Sequence, residues 1–489
     1  MNRLYKIDLF YLIPGSLIFV YIVSRAIIVG VTYDEAWTIM TFVPKNIWGL
    51  FTYTPCNANH HLLNTILIKL LYSSGIQTVF LARLPNLLSG LLYLIFSYKT
   101  AKELFHPFFG FVLFILLIIN PFLLDFFGLA RGYGITLGFQ MMALYYFILF
   151  FRKGSVRDGL ISLVCASFSV LFNFSALNFW VPLFIIIILL AIVNKEIVNR
   201  RIFFIGCLGI TIVLFGLIAI PIGKLAGTSG FNYGGNQNFY FDTLLSLTKY
   251  SFYSPRVTTG MLYGLPVFCL LLVTGIVYYC SKQKSIAQLQ SPQTGLFLLT
   301  FLAILAPMIQ HWLLGTRFPI DRTALIYYPL LILIIVIMCS ELPRKLGKIT
   351  AFALLISFVI NFSMKANFYK TALWYFDAHT PELMEYFTEL GEKSDRIVTL
   401  DFSWPFQSGI AYYTTVNNYP YIKIVKDFNN REEINDTADY YIYLNSSLEK
   451  VGYDASDQKI LLLDRDTLLF FKDEGVVVFH ITKPRPISD

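Results

Sequence analysis

FFIGCLGITIVLFGLIAIPI, residues 203–222, carries no charged side chain over its whole length. The hydrocarbon core of a bilayer is crossed by about 20 apolar residues in helical form. Inside it the backbone must satisfy its own hydrogen bonds, so a helix is the default structure. Working outward from this run, comparable stretches recur at residues 9–30, 80–105, 108–120, 134–151, 160–171 and 177–193 on one side, and at 261–279, 295–314, 324–338 and 349–364 on the other. The expectation is about eleven spans. Composition agrees: 56% of the 489 residues are hydrophobic and 14% charged, where a soluble domain carries about 25% charged residues. A soluble fold of this length is excluded.

The net charge of +8 is spread in short clusters between the apolar runs. This is the distribution membrane topology requires, and it gives no basic patch for a nucleic acid. One set of loops is short and basic, with Arg3 and Lys6, Lys99 and Lys102, Arg152 and Lys153, Arg200 and Arg201, Lys282 and Lys284, and Arg344 and Lys345. By the positive-inside rule these face the cytoplasm. The long loops, 31–79 and 223–260, then lie on the opposite face together with everything after about Lys365. Met1 to Lys6 precedes an apolar run without a small-residue cleavage site and reads as a retained signal-anchor. The six cysteines form no CxxC or Cys/His cluster, so neither a disulfide framework nor a structural zinc site is indicated.

From Trp374 onward charges become frequent and helix-length apolar runs end. Thr380-Pro381-Glu382 has the form of a helix start, Thr as N-cap and Pro in the first helical position. Short β-rich runs follow at 396–402, 440–445, 459–463, 468–472 and 476–481. The fold class expected is mainly α: a polytopic transmembrane bundle over residues 1–370, then a small extracytoplasmic α/β domain over 371–489.

Polar residues at the outer ends of spans are the candidates for chemistry. Asp34-Glu35 follows the first span directly, and acids at a membrane surface are functional candidates because their desolvation is costly. Neighbouring helical residues do not share a face, so one carboxylate can enter a site while the other makes a structural bond. The cluster Asn59-His60-His61 precedes an apolar helical pattern, where free N–H groups favour an anion; a His with a distant acid also suits a metal. Arg25, Arg83, Arg131, Arg317 and Arg322 lie on the outer side, against the topological bias. Bidentate pairing of guanidinium with phosphate oxygens is one reason for them, and snorkelling or an Arg322–Asp321 pair is another. The Gly- and Asn-rich stretch 227–260 reads equally as a flap over a site or as an ordinary connection.

Asp34-Glu35, Asn59-His60-His61-Leu62, Arg83-Leu84-Pro85, Ala130-Arg131-Gly132-Tyr133 and the segment 317–329, in this order, resemble the membrane glycosyltransferases of the GT-C fold. The resemblance is to glycosyltransferase family 39, with its protein O-mannosyltransferases and lipid A aminoarabinose transferases. It departs at His61-Leu62-Leu63, where the mannosyltransferases often carry His-Pro-Pro. The resemblance implies an inverting transfer from a polyprenyl-phosphate sugar to a hydroxyl of a glycan, lipid or protein. In it Asp34 is the general base and Glu35 positions Asp34 or the loop. Arg83, Arg131, Arg317 and Arg322 bind the donor phosphate, and Asn59, His60 and His61 face substrate or a metal. No cofactor is required, and a divalent metal is left open. Membrane lipids are partners, and a bacterial inner membrane is favoured, with the N-terminus cytoplasmic and the site and C-terminal domain periplasmic. The rival readings are a flippase of lipid-linked saccharides and a surface-glycan polymerase or ligase. Against a transporter, no internal repeat is visible and the charges gather at one face rather than at the midplane.

Overall fold

The computed structural model describes residues 9–193, 199–228, 233–254, 256–266, 291–417, 419–425, 437–444, 446, 465–471 and 474–481. Met1 to Lys6, most of the expected span 261–279, the expected strand 459–463 and Lys282 and Lys284, expected to face the cytoplasm, lie outside the described residues. The chain forms two compact units. One comprises Met1–Ile27 and Phe42–Ala366, the other Ile28–Thr41 and Asn367–Asp489.

Among the described residues, seven helices of the first unit are long and apolar enough to cross a membrane. They are Leu9–Ile28, Val79–Leu104, Gly132–Lys153, Phe174–Val193, Arg200–Gly227, Pro292–Leu314 and Arg344–Lys365. Leu62–Tyr72, Pro107–Ile118 and Tyr327–Glu341 are apolar but shorter, and Val156–Phe172 packs beside Gly132–Lys153. The protein is thus an integral, multi-pass membrane protein. Helix starts follow local chemistry: Thr78, Ser155 and Ser291 accept bonds from the backbone N–H of Leu81, Asp158 and Thr294, which satisfies donors the first turn leaves open. Gly154 and Gly315 end two helices in the left-handed conformation, at φ 60 and 65°, where a side chain would be strained.

Burial separates the helices. The apolar window of Gly132–Lys153 is 72% buried, that of Arg200–Gly227 only 22%. Along the latter, Ile202, Ile205, Leu208, Ile212 and Val213 are exposed, a patch no water-facing helix would carry and the outward surface expected of a lipid-facing one. The central helix instead uses small residues for close approach. A Cβ at Gly138 would stand 2.1 Å from Ser89 Oγ, and one at Gly134 would stand 2.3 Å from the Phe126 carbonyl.

In the stretch 31–79 the helical pattern expected after His61 is the helix Leu62–Tyr72, and three further short helical pieces, Tyr33–Trp37, Thr38–Phe42 and Ile47–Phe51, precede it. In the stretch 223–260, open to reading as a flap or a connection, the helix Arg200–Gly227 runs on to Gly227, and Phe239–Leu244 and Leu245–Ser251 form consecutive helical turns. Gly235 pairs with Phe318 through two backbone bonds of 3.0 and 2.9 Å, and Phe239 packs edge-on against Tyr327. These two contacts tie the stretch to the segment between the helices Pro292–Leu314 and Tyr327–Glu341 and to the start of the second.

The second unit carries a five-stranded sheet, β1 (Val398–Phe402), β2 (Ile422–Ile424), β3 (Tyr440–Leu444), β4 (Arg465–Phe471) and β5 (Val476–Ile481), in the order β2-β1-β3-β5-β4. β1 runs parallel to β2 and β3, and β5 antiparallel to β3 and β4. Alternation gives the sheet two apolar faces. Val398, Leu400, Ile442, Leu444, Val476 and Val478 pack with Leu383, Met384 and Phe387 of the helix Thr380–Ser394. Tyr441, Tyr443, Val477 and Phe479 cluster on the other face. The expected N-cap shifts by one residue: His379 precedes the helix, and its Nδ1 lies 2.9 Å from Glu382 Oε2. β2 and the helix Gln407–Asn417 are additions. Three residues show no readable alternation, and a helix rich in Tyr, Thr and Val is held by burial of Ile410 and Tyr412, tertiary packing overriding propensity.

Segment 28–41 joins this unit by long-range bonds. The Val31 N–H donates to Tyr413 Oη at 2.9 Å, and the Tyr33 N–H to Asp377 Oδ2 at 2.6 Å. The Tyr33 ring meets Trp404 edge to face at 5.7 Å.

Candidate functional site

In the first unit, three of the residues singled out from the sequence converge. His61 is the residue before the helix Leu62–Tyr72, and its Nδ1 lies 3.0 Å from the Phe172 carbonyl, which can only accept. Nδ1 therefore carries the proton, and Nε2 accepts from an Arg131 guanidinium nitrogen at 3.0 Å. Burial, then the Arg131 charge, holds His61 well below the usual imidazole range, so the ring is neutral, as this pair of bonds requires. Arg131 also donates to Asn59 Oδ1 at 2.6 Å and to the Asn59 carbonyl at 3.2 Å. Gly132 is needed beside this network, since a Cβ there would stand 2.2 Å from the Phe172 carbonyl and 2.9 Å from His61 Nδ1.

The His61 ring packs edge-on against Tyr133 at 4.7 Å. Tyr133 Oη in turn accepts from Arg322 Nε at 3.2 Å. Arg322 lies over the Tyr233 ring at 4.4 Å and donates to its hydroxyl at 2.8 Å, and that hydroxyl donates to Asp321 Oδ2 at 2.5 Å. The Arg322 side chain is 15% exposed, and its nearest guanidinium nitrogen is 3.8 Å from the Asp321 carboxylate. Asp321 has φ 38°, a conformation that side chains rarely adopt and that clusters at ligand clamps. Arg317 is half-buried.

The other arginines are enclosed. Arg83 is 1% exposed and donates to the Ala26 carbonyl at 3.1 Å. Arg131 is fully buried on Asn59 and His61, and Arg25 is ion-paired to Asp125 at 2.5 Å. A guanidinium inside an apolar bundle must find acceptors, and these find them in the protein.

His60 points away from His61. It is stacked 4.7 Å from Phe42 and 4.4 Å from Tyr53, with neither ring nitrogen hydrogen-bonded. Burial, then the Arg131 charge, pushes it down to about 4. Among the described residues no group of three or more His, Cys, Asp or Glu side chains is arranged to hold a metal ion. The depressed value has a consequence for stability. The unfolded chain binds a proton at about pH 6.5 that the folded chain does not take until about pH 4, so stability is complete above 6.5 and falls as pH drops. Between pH 7 and 5 His60 alone accounts for about 2 kcal/mol of lost stability. Melting of purified protein across that interval should drop steeply, and less so in His60→Phe; parallel curves would refute the assignment.

The acidic pair sits in the second unit. Thr32 precedes the turn Tyr33–Trp37, and Glu35 Oε2 accepts from the Thr32 N–H at 3.0 Å and from Thr32 Oγ1 at 3.1 Å, a capping box. Asp34 is 5% exposed on the same turn. Beside them stands Asp377, which sequence reasoning missed. It is 2% exposed, and burial, then the charges of Asp34 and Glu35, raise its carboxyl well above the usual range against the lowering effect of the Tyr33 N–H bond. The only signal for it was an acid ending the aromatic run Trp374-Tyr375-Phe376-Asp377. Tyr233 and Tyr413 carried none.

The described architecture is that of a membrane helical bundle with a trailing α/β unit. No protein-family model matches the sequence, and no curated protein matches it. Among solved structures the chain is similar to ArnT from Cupriavidus metallidurans. The crystal structure bound to undecaprenyl phosphate is 11% identical with a TM-score of 0.48, and the match covers 96% of this chain and 97% of that chain. The apo crystal structure is 12% identical with the same score and coverage. A score below one half at identities this low assigns neither activity nor substrate to this chain.

Proposed function

We propose that the chain is a GT-C type glycosyltransferase that moves a sugar from a polyprenyl-phosphate donor to an acceptor hydroxyl, by inverting displacement, at the outer face of a bacterial inner membrane. Asp34 takes the acceptor proton, and the partly exposed Arg322, with Arg317, receives the donor phosphate. The observation that carries the reading is Arg322. Its guanidinium is fixed by the hydroxyls of Tyr133 and Tyr233 in the turn between two apolar helices, yet part of it remains exposed. A lipid-phosphate leaving group needs chiefly stabilisation of its developing charge, and a preorganised, accessible guanidinium supplies that. The lipid carrier suits the architecture, because its tail can lie in hydrocarbon while its sugar is presented at an outer site.

Purified protein in nanodiscs, supplied with radiolabelled polyprenyl-phosphate sugars and a membrane extract, should transfer label. Arg322→Ala should weaken donor binding by about 10- to 150-fold, the worth of a charge-assisted hydrogen bond or two. Unchanged donor affinity in the variant would remove Arg322 from the phosphate site.

A further inference from the structure

The acidic turn is bonded into the C-terminal unit through its backbone. Val31 and Tyr33, on either side of the capping residue Thr32, each give their N–H to a side chain more than 340 residues away, Tyr413 Oη and Asp377 Oδ2. The Tyr33 ring is held by Trp404, and a Cβ at Gly30 would stand 3.0 Å from the Pro381 ring. Two backbone N–H donors two residues apart, each held by a distant side-chain acceptor, fix both the position and the rotation of a short turn, which has too few internal bonds to be stable alone.

We propose that the C-terminal unit is the mount of this turn, with Asp377 and Tyr413 as positioning residues that set where the Asp34 carboxylate stands. The catalytic consequence rests on the reading of Asp34 as the base; the mounting itself does not. Asp377 suits the task as a neutral acid. One of its oxygens accepts from Tyr33, the other has no hydrogen-bond partner, and a third negative charge beside Asp34 and Glu35 would be repelled. An amide of the same shape should therefore serve in its place.

The test compares full-length wild type, Asp377→Asn and Asp377→Ala, by hydrogen exchange of the amides at residues 31–37 and by sugar transfer. The expected result is faster exchange at 31–37 in Asp377→Ala, with the strands β1, β3 and β5 still protected and wild-type protection in Asp377→Asn. Transfer should fall at least 10-fold in kcat for Asp377→Ala, with donor KM unchanged, and recover to within about 3-fold in Asp377→Asn. Unchanged exchange at 31–37 in the alanine variant overturns the mount, as does loss of protection throughout the sheet, which would make Asp377 a general core residue. An asparagine variant as slow as the alanine one overturns the neutral positioning role. Failure of wild type to transfer any sugar would count against the proposed function, while the exchange result would still decide the mount.

Discussion

Asp34→Asn is expected to lower sugar transfer by about 10²- to 10⁴-fold, the range general-base catalysis contributes, while donor binding and melting temperature stay near wild type. The substitution keeps the shape of a side chain that is 5% exposed on the Tyr33–Trp37 turn and removes only its ability to accept a proton. The neighbouring carboxylate makes the control. Glu35 closes a capping box on Thr32, so Glu35→Gln, which can still accept from the Thr32 N–H, should cost far less, within about 10-fold for a cap worth near 1 kcal/mol. Single-turnover transfer with saturating donor measures both. Equal rates for wild type and Asp34→Asn would discard the base assignment. A Glu35→Gln defect as large as that of Asp34→Asn would instead mean that the two acids act together.

Much of the bundle was readable because a bilayer imposes one simple demand. A helix that crosses it must be apolar along its length, and the run 177–193 could be bounded to the residue. The short runs 108–120 and 324–338 were harder, because the structure ends or restarts them at Asn120-Pro121 and at the turn Asp321–Ala324, where cap chemistry rather than hydropathy decides. At the site the residue types were legible but their partners were not. Nothing local to Arg83 announces the Ala26 carbonyl 57 residues away. The enclosed arginines Arg25, Arg83 and Arg131 therefore look the same in sequence as Arg322. Likewise the acidic turn reads as the start of a first outer loop, and bonds across separations of 344 and 382 residues show that it belongs with the C-terminal unit. Spacing rules act within one element, and both of these assignments depend on contacts between distant ones.

Asp125→Ala should destabilise the first unit by about 3–5 kcal/mol, the cost of leaving one member of a buried pair behind. Asp125 ends the short helix Pro121–Asp125 that Asn120 starts by accepting from the N–H of Phe122 and Leu123. It meets Arg25 at 2.5 Å, both side chains 2% exposed, and Tyr253 donates its hydroxyl to the same carboxylate at 2.5 Å. With the carboxylate gone, Arg25 loses its buried counter-ion while its 3.4 Å bond to Tyr21 persists, and its charge cannot be shed by deprotonation. Thermal unfolding in detergent should thus show a large drop for Asp125→Ala and nearly as large a drop for Asp125→Asn, which keeps the hydrogen-bonding shape but not the charge. The double variant Arg25→Met with Asp125→Leu should recover most of the loss, because removing both charges also removes their desolvation penalty. Recovery would assign the pair to holding the first helix against the bundle. If the double variant stays as unstable as the single one, the charges do more than neutralise each other, and the Tyr253 hydroxyl, stranded without its acceptor, becomes the group whose burial sets the cost.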